Sequence, residues 1–383
     1  MTSRIYLDHA STTAVRPEVV EAIVPLLAGG YNASSLHAEG RAARAALDGA
    51  RERVARVLGA APREVVFTSG GSEADVLAIL GAARAARSRG RHVVTSAIEH
   101  RAVLHAVDIL EAQGWDVTRL PVDRQGLVDP AAFAAALTPQ TTLAAVMYAN
   151  NEIGVIEPIA QLARIAHERG VLFHTDAVQA AGWLPLDVAA LGVDLLSLSA
   201  HKLCGPKGVG ALYVRRGTAL EPLVVGGGQE HGLRAGTENV AGIVGLARAL
   251  ELAEAERERA GTRVAALRDR LQAGILAAVP DVAVNAVGAA RLPTILSVAF
   301  RDVPSDALLI RLDLEGIAAS AGSACAAGSL EPSHVVAAIG LDEPYRDGVI
   351  RFSLGRATTE AEIDTVTRLL PALLAGMRMP ANR

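Results

Sequence analysis

The chain has 383 residues, enough for two domains of ordinary size and an ample buried core, so its folding needs no staples. Hydrophobic residues make up 51%, but charges interrupt every apolar run, which excludes a membrane span; a net charge of −4, with acids and bases mixed, gives nucleic acid or an anionic membrane nothing to hold. The two cysteines, Cys204 and Cys325, stand far apart and outside any C-x-x-C pair, which excludes a disulfide framework and a structural zinc site, and no metal is expected.

In chain order, residues 5–7 are strand-like, and Asp8-His9-Ala10-Ser11-Thr12-Thr13 is small and polar, suited to a turn near a site. Asp8 and His9 cut short any apolar run of signal-peptide length, so a cytoplasmic location is expected. Pro17 starts a helix to about Leu27, closed by Gly29-Gly30. The polar stretch 31–37, with Asn32, is irregular, and the Ala/Arg-rich run 38–58 predicts a long helix. Residues 64–68 read as a buried strand, 69–71 as a glycine turn, and Ser72 onward as an amphipathic helix in which Ser72 and Asp75 match a capping box. Strand, glycine turn at Gly71 and helix start offer backbone N–H groups and a positive dipole end, a seat for a phosphate. The spacing is not G-x-G-x-x-G, which counts against a dinucleotide fold.

The alternation continues with a strand at 92–96, a helix at 101–113, and strands at 141–148, 171–175, 194–199 and 208–214. Apolar runs without period-two alternation, separated by helices, predict an α/β fold with a mainly parallel sheet covered on both faces. Ligands gather at the carboxyl ends of such strands. At those ends stand Ser69 to Ser72, Glu99 and His100, Asn150-Asn151-Glu152, Asp176 with Gln179, and Ser199-Ala200-His201-Lys202, and one convergent site accounts for them together. A long charged helix is expected from about Glu238 to Ala278, its charges facing solvent.

Lys202 is the expected covalent anchor. At the mouth of the sheet, with His201 beside it and Lys207 nearby, desolvation and cationic neighbours favour the neutral amine that forms Schiff bases with a carbonyl cofactor. Asp176 is a buried carboxylate in need of a cationic partner, either an arginine or the protonated nitrogen of a pyridoxal ring. His100 is suited to stack on such a ring and move protons. Asn151 and Gln179 are candidates for the ring hydroxyl, and Ser72, Ser199 and His201 for the phosphate. Residues 319–329, rich in Gly, Ser and Ala, read as a loop presenting Cys325, whose thiolate is a nucleophile.

The motifs Phe67-Thr68-Ser69-Gly70-Gly71-Ser72-Glu73-Ala74-Asp75, Glu99-His100, Asn150-Asn151-Glu152-Ile153-Gly154, Asp176-Ala177-Val178-Gln179, Ser199-Ala200-His201-Lys202, Arg234-Ala235-Gly236-Thr237, Ser323-Ala324-Cys325 and Arg351-Phe352-Ser353-Leu354-Gly355-Arg356 occur in this order over nearly the whole chain. Together they resemble the cysteine desulfurases of the NifS and IscS type. The resemblance implies a fold-type I pyridoxal 5'-phosphate-dependent transferase of the class V aminotransferase family. Its large domain would span residues 14–257, and a smaller α+β domain carrying the cysteine loop would combine 1–13 with 258–383, in a homodimer. It implies that Lys202 carries the cofactor, that Asp176 pairs with the pyridine nitrogen and His100 stacks on the ring, and that Thr237 reaches a phosphate bound mainly by the partner subunit. Asn32 and Arg351 would hold the substrate. L-Cysteine would become L-alanine, with sulfur passed to Cys325 as a persulfide and then to an acceptor protein, such as an iron–sulfur scaffold or a tRNA thiolation protein. Selenocysteine lysis, transamination and a non-enzymatic sulfur carrier are the alternatives; Cys325 disfavours transamination, and intact Lys202, Asp176 and His100 disfavour a mere carrier. Val76, Ala33, His231 and Cys204 depart from the family pattern, and with the sequence stopping at Arg383 soon after the last helix, a scaffold contact through a C-terminal tail, if longer relatives use one, is in doubt.

Overall fold

Strands whose side chains are buried on both faces build the main layer. The computed structural model describes residues 4–29, 31–322, 333–375 and 377. In chain order the strands are β1 (Ile5–Tyr6), β2 (Val65–Thr68), β3 (His92–Ser96), β4 (Asp116–Leu120), β5 (Thr141–Ala145), β6 (Leu172–Asp176), β7 (Leu195–Ser199), β8 (Gly210–Val214), β9 (Val282–Val284), β10 (Ile295–Phe300), β11 (Ile317–Ala318) and β12 (Val349–Ser353). Seven of them form one sheet in the order β2-β8-β7-β6-β5-β3-β4. β8 is antiparallel to both neighbours, so β2 and the other five strands all run the same way. Their carboxyl ends therefore open on one edge, the arrangement in which α/β sheets collect ligands. Every residue of β2, β3, β5, β7 and β8 is buried, as continuous apolar runs between two helical layers require.

The second layer comes from the chain ends. β12-β10-β9 is an antiparallel sheet, and β1 pairs in parallel with β11. An apolar cluster packs Ile5 and Leu7 against residues from Val264 to Leu374. Chain start and chain end thus meet in one core, separate from the cluster under the seven-stranded sheet. Among the described residues no helix is long and apolar enough to cross a membrane.

Three local expectations are corrected, and one strand is added. The helix after β2 begins at Gly71 with Gly70 as its cap and no side-chain capping bond; Glu73, not Ser72, turns back to accept the Ser69 N–H at 2.8 Å, and Asp75 points inward, 1% exposed. That helix is not amphipathic: Leu77–Gly81 is buried throughout and takes a π turn. β4 escapes the apolar-run criterion because it is an edge strand, exposed at Asp116 and half-buried along most of its length. The long charged helix is two, Val240–Ala255 and Arg257–Ala278, broken at Glu256. Glu256 does not face solvent alone: Arg16 holds it at 2.9 Å and Arg356 lies 3.6 Å away.

Candidate active site

The turns after five strand ends, together with the segment after β1, enclose a cavity of about 250 Å³. Gly71, Ser72, His100, Asn151, Asp176, Gln179, Ser199, His201, Lys202 and Arg351 all line it, so ten of the residues read from sequence converge as expected. Asn32 and Thr237 do not line it. Both are exposed, and Asn32 spends its side-chain oxygen on the Ser34 N–H at 2.8 Å. Cys325 lies outside the described residues.

Gly71 is required by close approach: a Cβ there would lie 2.8 Å from Val178 Cγ2 and 3.4 Å from Ser199 Cβ. The turn after β2 is thereby drawn against those after β6 and β7, bringing Ser72, Ser199 and His201 to one end of the cavity. His201 reaches Thr12 Oγ1 at 3.2 Å. Burial, with Lys202 and Lys207 adding to it, lowers His201 to about 4, so its ring is neutral. Lys202 follows β7 in a short 3-10 turn. Its Nζ donates to the carbonyls of Ala10 and Ser11, the latter at 2.7 Å, which fixes the amine at the cavity wall.

Asp176 ends β6, 5% exposed, and accepts the Val178 N–H at 2.8 Å. Burial raises its pKa, while His100, that N–H and Lys202 pull it down. His100 caps the helix Arg101–Ala112, its Nδ1 accepting from the Ala102 N–H at 3.2 Å, which leaves the ring proton on Nε2. Burial lowers its pKa against the pull of Asp176. Asp75, His100 and Asp176 each place one polar side-chain atom within 4.8 Å of the others. Two full negative charges that close would repel by about 3 kcal/mol even at an effective dielectric near 20, so the two carboxyls do not both ionise freely.

On the opposite wall Arg351 of β12 is 1% exposed. Its guanidinium donates to the Asn151 carbonyl at 2.9 Å, to Asp8 Oδ1 at 2.8 Å and to Ser11 Oγ at 2.7 Å, and Nε is buried without a partner among the described residues. Beside it Glu152, raised by burial, accepts from Ser333 Oγ at 2.5 Å. Asn150 braces this turn from beneath, accepting the N–H groups of Glu152 and Ile153 at 2.8 and 2.9 Å.

Sequence reasoning missed Asp75, Arg101, Met147 and His334 as lining residues. Asp75 carried a signal: an acid on the inward face of an otherwise apolar helical run.

The donor set fits pyridoxal 5'-phosphate. A fixed lysine amine stands beside a buried carboxylate, facing a neutral histidine, with hydroxyls and a glycine approach at one end and an arginine at the other. Fold and cavity thus define a fold-type I enzyme of this cofactor class, α/β with a mainly parallel central sheet. Residues 5–366 match the aminotransferase class-V family. The chain is 47% identical over 379 residues to the cysteine desulfurase IscS of Dictyoglomus turgidum, covering 99% of this chain and 96% of the relative. It is 47% identical to the cysteine desulfurase IscS of Methanosarcina thermophila, covering 98% and 93%. A solved NifS-like protein superposes with a TM-score of 0.91 at 36% identity, over 97% of this chain and 99% of that one. The chain belongs to the class-V aminotransferase family and, within it, to the cysteine desulfurases of the NifS and IscS type; it is a pyridoxal phosphate-dependent enzyme.

Proposed function

We propose that the chain converts L-cysteine to L-alanine and passes the sulfur to Cys325 as a persulfide, acting as a cytoplasmic homodimer that serves a sulfur-acceptor protein. The convergence of Lys202, Asp176, His100 and Arg351 on one cavity carries this reading. Pyridoxal phosphate, when bound, supplies an electron sink for the pair released at the substrate α-carbon. Asp176 holds a negative charge for the ring nitrogen, His100 packs on the ring, and Asn151 and Gln179 serve the ring hydroxyl. Gly71, Ser72, Ser199 and His201 hold the phosphate. Arg351 binds the substrate carboxylate, a role suited to a fixed guanidinium fork. Lys202 would carry the cofactor, and its amine, when free, would move the substrate α-proton at Nζ. Cys325, as thiolate, attacks the substrate sulfur; an S–S bond forms as the carbon–sulfur bond breaks, and the carbon product leaves, protonated, as alanine.

Exposed apolar side chains support the homodimer. Val20, Val24 and Leu27 recur at helical spacing on one face of the helix Pro17–Gly29, with Tyr31 and Leu36 exposed beyond it. A second copy on this surface would bury the exposed segments bearing Asn32 and Thr237, the one to meet substrate and the other to reach the partner's phosphate. The division into 14–257 and 1–13 with 258–383 is supported by the helix break at Glu256 and the shared core of the chain ends.

The test incubates the purified protein with L-cysteine and measures alanine and the mass of the Cys325 peptide. Alanine with one added sulfur on that peptide is expected. A Cys325→Ala protein making alanine and sulfide at the unaltered rate would refute the thiol's role.

A further inference from the structure

Asp75 has no part in the scheme above, yet it is a fully buried acid at the cavity. It arrives from the helix after β2 and meets the face of the sheet that carries Asp176. Asp176 pairs in register with Ser197, and His174, two residues earlier on β6, shares their face. His174 Nε2 lies 2.9 Å from Ser197 Oγ and 3.6 Å from Asp75 Oδ1. Asp75 Oδ1 itself has no hydrogen-bond partner among the described residues. The surroundings of the two carboxyls are unequal. Asp176 has a backbone N–H at 2.8 Å and faces His100 and Lys202. Asp75 faces Ser197, His174 and the acids Asp176 and Glu99, with no cation among them, because burial holds His174 neutral at about 3.

We propose that Asp75 is a positioning residue for Asp176: it stands as the neutral acid of a buried carboxyl pair, so that the pair carries one negative charge and that charge stays on the member facing the cofactor. Burial and the neighbouring Asp176 both act to keep the proton on Asp75. Ser197 and His174 form the uncharged floor that offers Asp75 hydrogen bonds but no counter-charge. The pair thus resolves in advance which carboxyl ionises, before any ligand arrives. The inference rests on the assignment of Asp176 to the ring nitrogen, and its test is arranged to separate the two.

The experiment compares wild type, Asp75→Asn and Asp75→Ala, each stripped of cofactor, by thermal melting between pH 5 and 9, and then titrates each with pyridoxal phosphate. A carboxyl whose folded-state pKa is raised contributes stability that is complete below the ordinary aspartate range and is lost as pH rises toward the folded value. Asp75→Asn removes that loss, so its Tm relative to wild type should climb steadily with pH. Glu99, Glu157, Asp176, His100, His174 and Lys202 are present in both proteins, so their contributions largely cancel. Asp75→Ala should weaken cofactor binding about tenfold by emptying the space beside His174 and Ser197 and loosening the sheet face that carries Asp176, and Asp75→Asn should recover most of that loss. A Tm difference independent of pH, or one that falls with pH, overturns the proposal, as does an Asn variant that binds no better than the Ala variant. Should Asp75→Ala not fold, the pH slope of Asp75→Asn decides alone. Wild type failing to bind pyridoxal phosphate would instead overturn the Asp176 assignment, leaving the melting result to stand for the charge pair.

Discussion

The two walls of the cavity hold their charges in opposite ways. On the seven-stranded sheet, Asp176 accepts the Val178 N–H and faces His100 and Lys202, which draw its pKa down against the effect of burial. On the three-stranded sheet, Arg351 is the reverse, with Asp8, Ser11 and the Asn151 carbonyl already bonded to its guanidinium. The first wall sets an acid among titratable neighbours; the second holds its cation in place with a carboxylate, Asp8, with which a substrate carboxylate would compete under the proposed role of Arg351. A buried cation already bonded to a carboxylate of its own wall is oriented before any ligand arrives.

Breaking the first wall should cost most. Lys202→Ala should lower alanine formation roughly 10²–10⁴-fold, the range for losing a positioned proton carrier, and a steady-state alanine assay reads it. On the second wall Arg351→Ala should raise KM about 10- to 100-fold, the loss of charge-assisted bonds to a carboxylate, while cofactor titration stays within a few-fold of wild type. Asp8→Asn sharpens the comparison. It keeps the shape but removes the charge that competes for Arg351, so KM for cysteine should fall roughly threefold at low salt and less at high salt. The smallest effect is on stability. Burial pushes Glu99 and Glu157 up to about 8, so the stability of their protonated forms is complete below the ordinary glutamate range and lost as pH rises through about 8. Glu157→Gln should therefore flatten the fall of Tm between pH 5 and 8.5 measured by differential scanning calorimetry.

Much of the fold was legible because continuous apolar runs such as 171–175 and 194–199 can satisfy only a sheet buried on both faces, and polar residues just after such runs must sit on its edge. The cavity followed from that, as Lys202, Asp176 and His100 meeting within it illustrate. What was hidden depended on contacts distant in sequence. Asp75 read as a cap because its spacing from Ser72 suits one, and only the sheet face beneath shows that it turns inward. The break at Glu256 lies in a stretch where helical periodicity and charge run on unchanged, and Arg16, 240 residues earlier, is what holds the acid there. Asn32 and Thr237 came from the family resemblance and stand outside the cavity, a placement that the proposed homodimer accounts for by giving them to the other copy.

The account stands on Lys202 as the point of covalent attachment, with Asp176 and His100 arranged around what it carries. The most direct measurement is borohydride reduction of the protein loaded with pyridoxal phosphate, followed by peptide mapping by mass spectrometry. The account predicts a single stable adduct on the peptide containing Lys202, lost in Lys202→Ala. An adduct on Lys207 alone, or none at Lys202 in a protein that still desulfurates cysteine, would contradict it.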